Sequence, residues 1–181
     1  YKDGKYVRNY DKKDSIGKVS SFYGNFSVLL KAYTYILMLG KSLREVSEDA
    51  VLNANYIKAK LKKYYKVAYE TKSLHEFVLT TENLHSTGVN TLKIAKRLMD
   101  YNIHPPTVYF PLIVHEAMMI EPTETESKEV LDNFIDVMIK IMDEINLEPL
   151  NFDNYPSKTP VKKVDEVLAA RQLNLRYKKD E

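Results

Sequence analysis

Ile103-His104-Pro105-Pro106-Thr107, running on through Tyr109-Phe110-Pro111 to Met119-Ile120-Glu121-Pro122-Thr123-Glu124-Thr125-Glu126-Ser127, decides how the chain is read. Proline fixes φ and pushes the residue before it into extended backbone, so two corners are marked, at 104–106 and at 121–122. Short apolar runs at 107–110 and 117–120 lie between the corners and read as strands. The second corner opens onto 126–145, where Leu131, Phe134, Ile135, Met138, Ile141, Met142 and Ile145 recur at helical spacing. Thr123 and Glu126 have the spacing of a capping box, each able to satisfy a free backbone N–H at the helix start. Glu124 and Glu126 also suit the positive end of the helix dipole. From the residues alone, a helix cap is the simpler reading of this corner, and a rigid surface loop is the simpler reading of His104-Pro105-Pro106.

The pattern continues outward from this centre. Residues 91–100 form an amphipathic helix, with Leu92, Ala95, Leu98 and Met99 as its apolar side. Residues 67–69 and 75–79 read as short strands. A helix over 42–64 carries one stripe of Leu43, Val46, Ala50, Ala54, Ile57, Leu61 and Tyr64. Lys58, Lys60, Lys62 and Lys63 crowd its last turns, which suits the dipole. Residues 22–39 read as a helix apolar on most sides, of the kind buried in larger proteins, with Gly40 as its stop. Lys2-Asp3-Gly4-Lys5 is a hairpin turn, since Asp-Gly supplies the positive φ angles a tight turn needs. Residues 148–159 read as poorly structured, 164–170 as a short helix and 176–181 as a mobile tail. Helices and short strands in this order predict an α+β fold: a small, mostly antiparallel sheet with helices on one face.

Composition narrows the class. A chain of 181 residues with 44% hydrophobic and 29% charged residues describes a globular protein, not a disordered one. Net charge is +2, too balanced to argue for nucleic acid or a membrane surface. The 22–39 stretch is interrupted by Asn25 and Lys31 and falls short of the roughly 20 continuous apolar residues of a membrane span. There is no cysteine, hence no disulfide framework and no thiol nucleophile, which fits a cytoplasmic location. His115-Glu116 and His75-Glu76 each lack a second histidine at ligand spacing, so no metal site is expected. Asn25-Phe26-Ser27 matches a glycosylation acceptor but falls in a helix predicted to be buried, so it is read as chance. The polar start and the missing initiator Met lead us to expect a piece of a longer protein or a processed product.

Several blocks, in order along nearly the whole chain, resemble the C-terminal part of the glycine-cleavage-system P-protein family, glycine dehydrogenase (decarboxylating), in its second-subunit form. They are Ser15-Ile16-Gly17-Lys18-Val19, Ser21-Phe22-Tyr23-Gly24-Asn25-Phe26, Val51-Leu52-Asn53-Ala54-Asn55-Tyr56 and His75-Glu76-Phe77-Val78-Leu79. Asp100-Tyr101, His104-Pro105-Pro106-Thr107 and Met119 to Lys128 follow, then Leu131-Asp132, Thr159-Pro160-Val161, Asp165-Glu166-Val167 and Asn174-Leu175-Arg176. Ser20 departs from a usual Arg, which matters if that Arg lies near the cofactor. Tyr101-Asn102-Ile103 replaces a more usual Tyr-Gly-Phe, and His115 stands where an acidic residue or proline is common.

The resemblance implies the small C-terminal domain of a fold-type-I pyridoxal-phosphate enzyme. Residues 1–40 would end the large domain with a hairpin and an interdomain helix, and 41–181 would form the small domain. The Schiff-base lysine is expected upstream, so this chain alone is expected to be inactive. The reaction implied is decarboxylation of glycine with aminomethyl transfer to the lipoyl group of H-protein. P-protein subunit 1 and lipoylated H-protein are the implied partners, within an oligomer. His104, Thr107, Glu121, Thr123 and Glu124 match the two best-marked loops and are the expected border of the substrate entrance. The alternative is a non-catalytic interaction or dimerisation module descended from the same domain.

Overall fold

Asn25, read in the sequence as an interruption of an apolar helix, instead begins it. Its side-chain oxygen accepts the N–H of Val28 at 3.2 Å, so helix α1 spans Phe26–Leu39 and not 22–39. That is ordinary N-cap chemistry, in which a short polar side chain satisfies an orphan donor of the first turn. Gly40 ends the helix at φ 52 and donates its N–H to Ile36. The computed structural model describes residues 1–20 and 22–177, so Ser21 and the Lys178-to-Glu181 part of the predicted tail lie outside the described residues. It comprises two units, Tyr1–Leu43 and Arg44–Glu181.

In the first unit, Asp3 and Gly4 take φ angles of 50° and 73°, and Lys2 and Lys5 exchange both backbone hydrogen bonds, at 2.9 and 3.0 Å. The predicted turn is therefore formed, but the bridge is isolated and no strand extends from it. No residue of α1 is buried: Phe26 is 70% exposed, Leu37 61% and Met38 81%. The buried helix expected from its composition is thus bare within this unit. Asn25 is exposed as well, so the reason for dismissing the Asn25-Phe26-Ser27 tripeptide, burial in a helix, does not hold.

The second unit holds the core. Helix α2 spans Leu43–Leu61, ending earlier than the predicted 64. Ala54, Ile57 and Leu61 of its stripe are buried, but Leu43 and Tyr64 are exposed. Past Leu61 the helical phase is lost, and Tyr65 turns inward instead, its hydroxyl donating to the Met138 carbonyl at 2.8 Å. Strands β1 (Lys66–Val67) and β2 (Phe77–Thr80) follow, then α3 (Thr91–Asp100), β3 (Thr107–Val108), β4 (Ala117–Ile120), α4 (Lys128–Leu147) and α5 (Glu166–Arg171). On α3 the buried apolar residues are Ile94, Ala95 and Leu98, while Leu92 faces out. β4 matches the predicted 117–120, while β1, β2 and β3 are shorter than predicted because pairing, which sequence does not show, sets their ends.

The sheet order is β1-β2-β4-β3, antiparallel throughout. In the register, Phe77 faces Ile120 and Leu79 faces Met118, so these four share one face. They join Ala54, Ile57 and Leu61 of α2, Ile94 and Leu98 of α3, and the Leu131-to-Ile145 stripe of α4 in one core. The other face carries the row Val78, Met119 and Thr107. This is the α+β layer expected from the sequence.

The run 148–159 departs from the prediction of poor order. Pro149–Asn154 forms a 3-10 turn whose Phe152 is 1% exposed and stacks edge-on against Tyr155. The Asp100 carboxylate then accepts the N–H groups of Ser157 and Lys158 at 2.7–2.9 Å and the Ser157 hydroxyl at 3.1 Å. Proline content hid a segment held by one buried aromatic and one buried carboxylate. Among the described residues, no helix is long and apolar enough to cross a membrane.

Candidate functional site: two proline corners and the cavity between them

The first corner is aimed by the end of α3. Asn102 sits at φ 58, its N–H donating to Met99, and the N–H of Ile103 donates to Leu98 at 3.1 Å. This is a Schellman stop, which needs a left-handed residue at that position. Glycine serves best there and asparagine next, which accounts for Asn102 in place of the more usual glycine. Ile103 then packs on the core, and Pro105 and Pro106 carry the chain stiffly into β3.

The second corner leaves β4 at Ile120. Glu121 precedes Pro122, which is buried, and the turn runs on to α4. Its capping differs from the expected box. Ser127, not Thr123, is the N-cap: its hydroxyl oxygen accepts the N–H of Val130, and the helix begins at Lys128 rather than 126. Thr123 instead forms a backbone turn with Glu126 at 3.3 Å and shares a hydroxyl hydrogen bond with Thr125 at 2.8 Å. The cap thus lies four residues beyond Thr123, so the box spacing in the sequence is coincidental.

A cavity of about 480 Å³ opens between the corners. Its lining includes His104, Pro106, Thr107, Met119, Glu121 and Pro122, with Ile57 of α2 and Phe134 of α4. Of the five predicted site residues, His104, Thr107 and Glu121 border it and Thr123 and Glu124 do not. The side chains of those three are exposed. The walls combine apolar side chains such as Ile57, Leu131 and Phe134 with the polar Asn102, His104, Thr107, Glu121, Glu126 and Asn133. Glu121 and Glu126 are its charged residues, and no lysine or arginine is among the lining. A phosphate needs cationic or N–H donors, so this lining does not fit the phosphate of pyridoxal phosphate. Among the described residues no group of histidine, cysteine and carboxylate side chains could hold a metal ion.

Several polar side chains, most of them on α2, act as anchors, a role the sequence did not assign to them. Asn53 Nδ2 donates to the Thr123 carbonyl at 3.0 Å. Asn55 Nδ2 donates to the Ser73 carbonyl at 2.7 Å, and its side-chain oxygen accepts the Ser73 N–H. Lys58 is buried and gives Nζ to the carbonyls of Tyr69 and Thr71 and to the Ser73 hydroxyl, at 2.5–3.1 Å. It is therefore a loop anchor, a role beyond the dipole partner that the sequence suggested for it. The Tyr56 hydroxyl donates to Asp132 at 2.5 Å, and Lys128 donates to the other oxygen of the same carboxylate. Lys128 and Tyr56 hold the Asp132 carboxyl below its ordinary range, and Asp132 in turn raises the Tyr56 phenol. The Asn53-Ala54-Asn55-Tyr56 block was the available signal: three polar side chains beside one alanine that the core requires.

A second network ties α3 to α4. Arg97 gives Nε and one terminal nitrogen to the two oxygens of Glu144, at 2.8 and 2.9 Å, and the Tyr101 hydroxyl donates to Glu144 at 2.5 Å. Burial and then Glu144 push the Tyr101 phenol up to about 12. Burial works to raise the Glu144 carboxyl, but the hydrogen bonds from Arg97 and Tyr101 outweigh it and hold it below the ordinary range. Asp100 is lowered in the same way, burial being outweighed by the Ser157 and Lys158 N–H groups. His115 and Glu116, which mimic the start of a zinc motif, have structural uses: the His115 carbonyl accepts the Thr80 hydroxyl, and the Glu116 carboxylate accepts the N–H of Thr91 at 2.8 Å at the start of α3.

The sequence profile of a family described as glycine dehydrogenase, C-terminal domain, matches residues 46–160. The chain belongs to that family. It is 59% identical over 177 residues to the probable glycine dehydrogenase (decarboxylating) subunit 2 of Fervidobacterium nodosum, covering 97% of this chain and 37% of the relative. Proteins of the same description from Caldanaerobacter subterraneus subsp. tengcongensis and Alkaliphilus oremlandii are 57% and 56% identical, over 98% and 99% of this chain. The chain spans about 37% of the length of these relatives.

Proposed function

We propose that this chain works as the C-terminal part of a glycine dehydrogenase (decarboxylating) subunit 2. On this reading a pyridoxal-phosphate cofactor, bound through a lysine outside this chain, accepts the electrons as glycine loses carbon dioxide. The aminomethyl group passes to the lipoyl group of H-protein, in an oligomer that includes P-protein subunit 1, in the cytoplasm. The chain by itself is inactive. Its own residues shape the way in: His104, Thr107 and Glu121 stand at the mouth of the cavity, with its apolar wall behind them. Thr123 and Glu124 take part at one remove, as the turn that carries Glu121. The observation that carries the proposal is the meeting of the two family-marked corners at one cavity.

Two features support the division of labour. The cavity supplies no cation for a phosphate, which leaves the cofactor to other parts of the enzyme. The bare apolar surface of α1 suits a helix covered by further protein. We extend this to a boundary near residue 40, with residues 1–40 belonging to the large domain and 41–181 forming the small one.

The test is chemical. The natural full-length product is treated with pyridoxal phosphate and borohydride, digested, and the labelled peptide found by mass. A pyridoxyl-lysine upstream of Tyr1 is expected. A full-length product that takes no label would favour a non-catalytic interaction module and end the enzyme reading.

A further inference from the structure

We infer that Asn53 is a positioning residue for the cavity, setting the direction of Glu121 through the carbonyl of Thr123. The inference rests on the reading of that cavity as the substrate entrance. Glu121 lies between two fixed points. On one side Ile120 is registered against Phe77 in the sheet. On the other, Pro122 is buried, has a restricted φ, and is followed at once by Thr123. Two residues therefore separate the last paired strand residue from the carbonyl that Asn53 holds at 3.0 Å. A span so short, with one φ locked, leaves Glu121 little freedom once both ends are held.

Asn53 is itself well placed to hold its end. It precedes Ala54, which is fully buried, and lies one helical turn before Ile57, which is 2% exposed and forms part of the cavity wall. The same carbonyl also accepts the Glu126 N–H at 3.3 Å, so both of its lone pairs are engaged. The turn and the wall are thus set from one rigid helix. Asn55, two residues on, anchors a different loop at Ser73, which is not part of this cavity's lining, and so provides the comparison.

The experiment uses the full-length subunit assembled with its partner subunit. Asn53→Asp places a carboxylate oxygen against the Thr123 carbonyl, Asn53→Ala only removes the donor, and Asn55→Ala is the control. Amide exchange over 121–126 is expected to quicken at least fivefold in both Asn53 variants and to stay as in the parent for Asn55→Ala. The KM for the lipoylated carrier is expected to rise about tenfold for Asn53→Asp and less for Asn53→Ala, with kcat within twofold. Unchanged exchange in a folded Asn53 variant overturns the inference, as does faster exchange with KM unmoved. A fall in kcat alone also overturns it. If Asn53→Asp does not fold, Asn53→Ala decides by the same criteria. A parent enzyme without turnover sinks the functional reading, and the exchange measurement then decides the role of Asn53 as anchor.

Discussion

At the scale of single residues, the unusual choices are resolved by backbone conformation and by hydrogen-bond demand. Asn102 stands where the chain must turn left-handed to end α3. Asn102→Gly should keep or raise stability, by up to about 1 kcal/mol, whereas Asn102→Val should lower it by roughly 1–2 kcal/mol, because a β-branched residue is strained at positive φ. Thermal unfolding of the two variants checks both signs. Lys58 is a second case. Three neutral oxygens around its ammonium suit a donor, not an ion pair, and fasten residues 69–73 to α2. Lys58→Met should cost roughly 2 kcal/mol, since it removes a charged donor from three oxygens while keeping the hydrocarbon stem. Denaturant unfolding measures the loss, and quicker amide exchange in the 69–73 loop should accompany it.

At the scale of elements, helix starts and stops were partly legible and partly not. Gly40 and the bounds of the 91–100 helix could be read directly, because a terminal glycine and helical periodicity carry their own signal, although the stripe assigned to that helix included the exposed Leu92 and left out the buried Ile94. The start of α4 could not. Two hydroxyl residues, Thr123 and Ser127, each precede a helical pattern, and only the tertiary path of the turn selects Ser127. Ser127→Ala should therefore cost about 1 kcal/mol, while Thr123→Ala should cost much less. The reverse order in unfolding measurements would restore the capping box. The α3–α4 network should also show in the pH dependence. Glu144 and Asp100 are lowered in the folded protein, so their stabilisation is present above the unfolded carboxyl range, near pH 4, and is lost as pH falls through the folded values. Tyr101 is raised to about 12, so its contribution is full below about pH 10 and is lost as pH climbs through 12. Glu144→Gln should lower the midpoint of thermal unfolding at neutral pH and flatten its dependence at both ends.

At the scale of the whole molecule, the two units differ in how far they account for themselves. Arg44–Glu181 has a core of aliphatic and aromatic side chains drawn from every layer. Tyr1–Leu43 buries none of the apolar residues of α1. Exposed surface of this kind drives association. The isolated chain should therefore self-associate, seen as a concentration-dependent mass in light scattering. Replacing Leu37 and Met38 with lysine should reduce it without changing the unfolding of the second unit. A chain that stays monomeric at high concentration would count against α1 as a surface meant for cover.

The sequence by itself determined the layer class, the principal helices, the two proline corners and the family, because periodicity, proline geometry and residue blocks are local and survive without coordinates. It also marked His104, Thr107 and Glu121, which the fold brings to one cavity. Only the tertiary structure decided that Thr123 and Glu124 stand back from that cavity, that Ser127 caps α4, and that the proline-bearing run after α4 is held by Asp100 and Phe152. Only it showed the bonds that Asn53, Asn55 and Lys58 make to distant loops. Each joins residues at least 11 positions apart in the chain. The energy of such a bond depends on where two segments meet, and no local pattern in either segment records that meeting.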